Sequence, residues 1–303
     1  MSKLIKTSLR LISFFIFTPF LQVNGAIGNL KVHEICHINS KQPIYVFSGS
    51  VAATVYKLGL FHDPAIKGIL SSYEFVPTEN IKFSAGIYLS QKIAETIDDN
   101  AVIFLEESKD LERTLDHVAL RKKKHWKKIS VNSKGQNPHQ VSKMALEVLA
   151  PYLSAVKSCD VAKKNYLEKI DQYLKKIALG KKTLKFSKQK VYFFMGEWDG
   201  KFPESKALVV FHEGFIKVLM DHEIIPPYET DEVKIHYGPW SSKLFLRQDT
   251  TFIGIHSDLK DNQQLGKLVE VSANKYQVHC FACLIPGVLQ LEWLSNLVSN
   301  EHN

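Results

Sequence analysis

Ile44-Tyr45-Val46-Phe47-Ser48-Gly49-Ser50-Val51-Ala52-Ala53-Thr54-Val55-Tyr56-Lys57-Leu58-Gly59-Leu60 is the stretch from which the fold is read. Its first four residues form an apolar run with the composition of a buried strand. Ser48-Gly49-Ser50 makes a turn of small residues, and Val51 to Leu60 reads as a helix closed near Gly59. The same pattern continues downstream. Ile66 to Leu70 is a short strand, and a helix is expected around Leu89 to Ile97. Ala101-Val102-Ile103-Phe104-Leu105 is the next buried strand, between Asp98-Asp99-Asn100 and Glu106-Glu107. Strands alternating with helices predict an α/β domain with a mainly parallel sheet.

From about Gln140 to Gln189 the strand signal disappears. Val141, Met144, Ala145, Val148 and Leu149 fall at helical spacing until Pro151. Asp160 is placed to cap a longer helix in which Tyr166, Ile170, Tyr173 and Ile177 recur on one face. Alternation then resumes, with strands at Val191 to Met195, Leu208 to Phe211, Phe252 to Ile255 and Gln277 to Phe281. A helix is expected near Gln264 to Val271, and a final amphipathic one from Gly287 to Val298. The predicted fold class is therefore α/β: two lobes with mainly parallel sheets, joined by a long backbone helix. The expected division is 26–135 for the first lobe, 136–187 for the helical segment and 188–303 for the second lobe. Ligands of open α/β sheets bind at the carboxyl ends of strands, so the expected site is the cleft between lobes.

Residues 1–25 read as a signal peptide. Lys3, Lys6 and Arg10 precede the apolar run Leu11 to Leu21, and Val23-Asn24-Gly25 offers small residues for cleavage near Gly25-Ala26. The run is short and broken by Pro19, which argues against a membrane anchor. Export to the periplasm is expected. Hydrophobic residues at 45% and charged residues at 23% exclude disordered, collagen-like and coiled-coil classes. The net charge of +8 is concentrated partly in Arg121-Lys122-Lys123-Lys124-His125-Trp126-Lys127-Lys128. So local a run reads as a solvated loop, or as an attraction for an acidic partner, and not as a nucleic-acid surface.

Several residues could carry chemistry. His33-Glu34-Ile35-Cys36-His37 spells H-E-x-x-H, which on a helix would hold zinc with Glu34 as base of an exported hydrolase. Its competitor is a chance match in a polar segment entering the first strand, since the chain has 12 histidines. His139, in Asn137-Pro138-His139, and His212, after Val210-Phe211, stand at element ends facing the expected cleft, where a histidine either ligates a cation or caps. The four cysteines are too few for a disulfide scaffold. Cys280–Cys283 is the obvious local bridge, and Cys283 as a free thiolate ligand is its competitor. Trp198, Tyr237 and Trp240 could line a cleft for an organic or chelated ligand.

Asn137-Pro138-His139, followed by helix and by Asn165-Tyr166-Leu167-Glu168-Lys169 through Lys176, resembles the D-P-H segment and connecting helix of a known family. That family is the periplasmic solute-binding proteins of zinc and manganese ABC transporters, the ZnuA/TroA type. Val210-Phe211-His212-Glu213-Gly214-Phe215 is similar to its strand followed by H-D-A-F. The resemblance implies two lobes on a backbone helix, no reaction, an ABC-transporter permease as partner and a monomer. It also implies a transition-metal ion, zinc foremost, or a metal complex as the transported solute. His139 and His212 fall on two of the family's histidines. Ser71, in Ser71-Ser72-Tyr73-Glu74, stands where another is expected, and His62 is a substitute for it. Cys283 takes the place of the family's carboxylate, and a thiolate there favours zinc or copper over manganese. The expected metal set is His139, His212 and Cys283.

Overall fold

The computed structural model describes residues 35–69, 90–133, 136–180, 190–195, 221, 250–256, 268–272, 275–279 and 287–299. Along the chain these form β1 (Ile44–Phe47), α1 (Gly49–Lys57), β2 (Ile66–Ile69), α2 (Gln91–Thr96) and β3 (Val102–Glu106). There follow α3 (Lys109–Lys122), β4 (Lys127–Val131), α4 (Pro138–Leu149), a 3-10 turn (Ala150–Tyr152) and α5 (Lys157–Gly180). The remainder comprises β5 (Lys190–Met195), β6 (Thr250–His256), β7 (Leu268–Ser272), β8 (Lys275–His279) and the C-terminal helix α6 (Val288–Ser299), so named here as the sixth described α-helix. The strands make two sheets of four, in the orders β2-β1-β3-β4 and β5-β6-β8-β7. All neighbours are parallel except β7, which runs antiparallel to β8. The expected α/β class with mainly parallel sheets is what the chain adopts.

Period-2 alternation explains why the central strands of the first sheet carry no polar face. Ile44 and Val46 of β1, with Val102 and Phe104 of β3, enter one buried cluster. Tyr45 and Phe47, with Ile103 and Leu105, enter the other. Both faces of a parallel sheet are covered by its crossover helices, so a continuous apolar run is required. The second cluster is closed by Ala94, Ile97, Leu115 and Val118 from the α2–α3 side. The first is closed by α1, α4, α5 and α6. Within α5, Tyr166, Ile170 and Ile177 are buried and Tyr173 packs beside them, which is the stripe expected from spacing. The helix begins at Lys157, so Asp160 lies in its first turn, where it pairs with Lys163, and does not cap it.

Three expectations need correction. The basic run is a loop only in part: Arg121 and Lys122 end α3, Lys123 turns the chain with φ 54°, residues 124–126 form the connection, and Lys127 and Lys128 begin β4. Lysines at an edge strand resist unwanted pairing. Lys124 is only 7% exposed; its ammonium donates to the carbonyls of Glu95 and Ile97 and pairs with Asp99. Residues 268–272 form strand β7 where a helix was expected; β-branched Val269 and Val271 favour it. A disulfide joins Cys36 to Cys159, at a sequence separation of 123 and with Cα atoms 4.6 Å apart, a pairing the sequence reading does not single out; the Cys280–Cys283 pair lies outside the described residues.

The third correction concerns α6, which the sequence assigns to the 188–303 lobe. Val288, Leu289, Leu291, Trp293 and Leu294 are each at most 3% exposed and lie in the first sheet's core cluster. A segment this apolar must be enclosed on nearly all sides, and α1, α4 and α5 provide that enclosure. Glu292 secures it: Tyr173 Oη donates to Oε1 at 2.9 Å, and Lys57 Nζ lies 2.6 Å from Oε2. Gly287 enters the helix at φ +111°, a backbone conformation that L side chains rarely adopt.

Candidate functional site

The strand order fixes where a site can form. The chain leaves β1 toward β2 on one flank, while β3 and β4 lie on the other, so the carboxyl ends of β1 and β3 are a topological switch point. Phe47 pairs with Leu105 there, and the next residues are Ser48 and Glu106. Ser48 caps α1 in an extended conformation, its Oγ accepting from the Val51 amide at 3.2 Å. Glu106 Oε1 accepts from Ser48 Oγ at 2.8 Å, Ser50 Oγ at 2.7 Å and the Ser50 amide at 3.2 Å. Both serines are buried. A carboxylate at the positive end of a helix is favourably placed. Glu106 Oε2 is enclosed and has no hydrogen-bond partner among the described residues. One oxygen is thus crowded with donors and the other has none.

In the sequence alone Glu106 reads as a strand boundary and the serines as a turn. The signal was present: small hydroxyl residues after one strand and a carboxylate after its neighbour meet only if the two strands are adjacent and parallel. Adjacency is a property of strand order, which one sequence does not display.

His139 lies in the first turn of α4, not ahead of it. Asn137 caps that helix by accepting from the Gln140 amide at 2.9 Å, while Gln140 Oε1 accepts from the Asn137 amide. Burial, then the Lys143 ammonium one turn on, hold the imidazole pKa below its ordinary value, with Asp171 of α5 opposing. The folded chain therefore favours the neutral ring. Below about pH 6.5 the unfolded chain binds more protons at this position than the folded one, so stability is lost on acidification. His139→Gln is expected to lose less stability than wild type between about pH 7 and pH 5, read from urea midpoints. Equal acid sensitivity would contradict this assignment.

His212 and Cys283, the other members of the expected metal set, lie outside the described residues, as do Ser71, Cys280, Trp198, Tyr237, Trp240 and the 1–25 leader. His62 is exposed in the turn after α1, edge-on to Phe61. Among the described residues no group of three or more His, Cys, Asp or Glu side chains is placed to hold a metal ion. The H-E-x-x-H stretch is not a helical zinc motif over its described part. Ile35 to His37 carry no helix, the Asn39 amide donates to the Tyr152 carbonyl at 2.8 Å, and the Ser154 amide donates to the His37 carbonyl at 2.9 Å. Cys36, inside the motif, is committed to its bridge with Cys159. No described helix is long and apolar enough to cross a membrane.

No protein-family model matches the sequence, and no curated protein matches it either. Solved structures match its fold. The periplasmic heme-binding protein RhuT from Roseiflexus sp. RS-1 in apo form aligns over 87% of this chain and 98% of its own, with a TM-score of 0.57 and 12% identity. The siderophore-binding protein FhuD from Vibrio cholerae, bound to Fe3+-Desferal, aligns over 86% and 98%, with a TM-score of 0.52 and 13% identity. A TroA-like periplasmic binding protein from Xylanimonas cellulosilytica aligns over 85% and 89%, with a TM-score of 0.50 and 15% identity. The chain shares its fold with these three solved structures, and at these identities the likeness is one of fold alone.

Proposed function

We propose that the chain is the exported solute-binding component of an ABC importer and that its solute is a metal chelate, of the ferric-siderophore or heme kind. The carrying observation is the architecture: two parallel-type sheets joined by a 24-residue helix, aligned over most of their length with proteins described as heme- and siderophore-binding. The Cys36–Cys159 bridge supports an oxidising compartment, in keeping with the leader read from residues 1–25. The solute would sit at the carboxyl ends of the strands, where Ser48, Ser50 and Glu106 converge. Binding then needs no bond-making chemistry, and a membrane permease would receive the cargo. Bare zinc held by His139, His212 and Cys283 is the rival. Native mass spectrometry with elemental analysis of the exported protein decides between them: the chelate reading expects iron together with an organic adduct.

A further inference from the structure

The segment before β1 is held against the chain ahead of α5 by more than its disulfide. The Asn39 amide donates to the Tyr152 carbonyl and the Ser154 amide to the His37 carbonyl, while Ile38 and Leu153 form an antiparallel bridge. The Ile38 amide donates to Asp63 Oδ2 at 2.7 Å. These backbone bonds keep Cys36 beside Cys159. The two sulfurs nevertheless differ in their surroundings. Cys159 is fully buried, whereas Cys36 is partly exposed, between exposed Ile35 and His37. Cys159 lies in the first turn of the 24-residue helix α5, and Ser154 Oγ is 3.1 Å from its sulfur. A bridged sulfur carries no proton, so the hydroxyl is the donor, and it accepts in turn from the His37 amide at 3.4 Å. Burial disfavours a thiolate at Cys159; the hydroxyl and the amino end of the helix both offset that cost. Asp160, the next residue, directs its carboxylate to Lys163. A thiolate attacks the sulfur it can reach and expels the other, faster where the departing thiolate is stabilised.

We infer that Cys36 is a thiol-exchange site, the sulfur at which an incoming thiolate forms a mixed disulfide, with Cys159 as the group that leaves and later returns. In the opening step a bond forms from the incoming sulfur to Cys36 Sγ. The Cys36–Cys159 bond breaks, and its electron pair leaves on Cys159 Sγ. Closure is the reverse: the Cys159 thiolate attacks Cys36 Sγ and expels the incoming thiolate. Each step is an exchange with no net oxidation. The backbone bonds keep the two cysteines neighbours while the bridge is open, so closure is intramolecular. Chain order suits the same assignment. Cys36 is the first cysteine of the chain and precedes Cys159 by 123 residues, so it is synthesised first and available to be loaded first. The incoming thiolate belongs to a small thiol or to the dithiol of an oxidoreductase. The inference does not depend on which solute the chain carries.

The test exposes the folded, exported chain at neutral pH to reduced glutathione, stops the reaction with acid at intervals, and maps every cysteine by mass spectrometry after alkylation. Reduced thioredoxin lacking its resolving cysteine is the second probe, and the faster of the two identifies the source of the thiolate. With either probe, wild type is expected to carry the adduct on Cys36 and to show Cys159 as a free, alkylated thiol. Oxidised glutathione is then offered to the two single variants, with melting curves recorded for both. Cys159→Ser is expected to load Cys36 about tenfold or more faster than Cys36→Ser loads Cys159, because a buried sulfur reacts only after local opening. The wild-type mapping stands without the variants, should they fold poorly. Adducts chiefly on Cys159, equal loading rates in the two variants, or no reaction of wild type until denaturant is added overturns the inference. Each of these results leaves the solute-binding reading standing.

Discussion

Replacing both Cys36 and Cys159 with serine is expected to cost the fold about 2–5 kcal/mol, the usual range for a native bridge that closes a long loop. The bridge spans 123 residues and ties the segment before β1 to the first turn of α5. It therefore restricts the unfolded chain over the whole first sheet. Cys159 is fully buried, so the serine hydroxyls would also enter an apolar cluster. Denaturant unfolding of the oxidised wild type against the double variant measures the loss. Wild type treated with reductant should approach the variant, and no change in midpoint on either route would show that the bridge contributes nothing.

The second large effect is expected at Trp293. It is 3% exposed and belongs to the cluster that contains β1, β3 and α5. Truncating a buried aromatic of this size typically costs about 3–5 kcal/mol. Trp293→Ala should accordingly lower the unfolding midpoint sharply. It should also speed amide exchange in β1 and β3, far away in sequence. Exchange accelerated only in β5, β6 and β8 would mean that α6 serves the second sheet, as the sequence alone suggests.

The contrast between these elements shows what one sequence displays. Ile44 to Phe47 and Val102 to Leu105 are legible because strands covered on both faces must be apolar throughout. The Tyr166–Ile177 stripe is legible because a helix buried on one side repeats its apolar residues every three or four positions. By contrast, α3 and β4 were hidden under a lysine-rich composition. Yet Ser108 caps α3, Asp110 and Glu112 occupy its first turn, and Leu115 and Val118 supply its buried face. Charge content masked periodicity there. The allegiance of α6 and the pairing of Cys36 with Cys159 are long-range facts. Each depends on which elements become neighbours after folding, and no local pattern encodes it. The site divides in the same way. His139 was recognisable as a histidine beside a helix start, whereas Glu106 meets Ser48 and Ser50 only through strand order.

The solute-binding account is tested most directly by isolating the exported protein without added ligand, recording its native mass spectrum and analysing the same sample for metals. The account expects iron and an organic adduct that leave together on denaturation, from a chain whose first residue lies near Ala26. Zinc bound alone at one ion per chain, and lost in His139→Ala, would contradict it and restore the bare-metal reading.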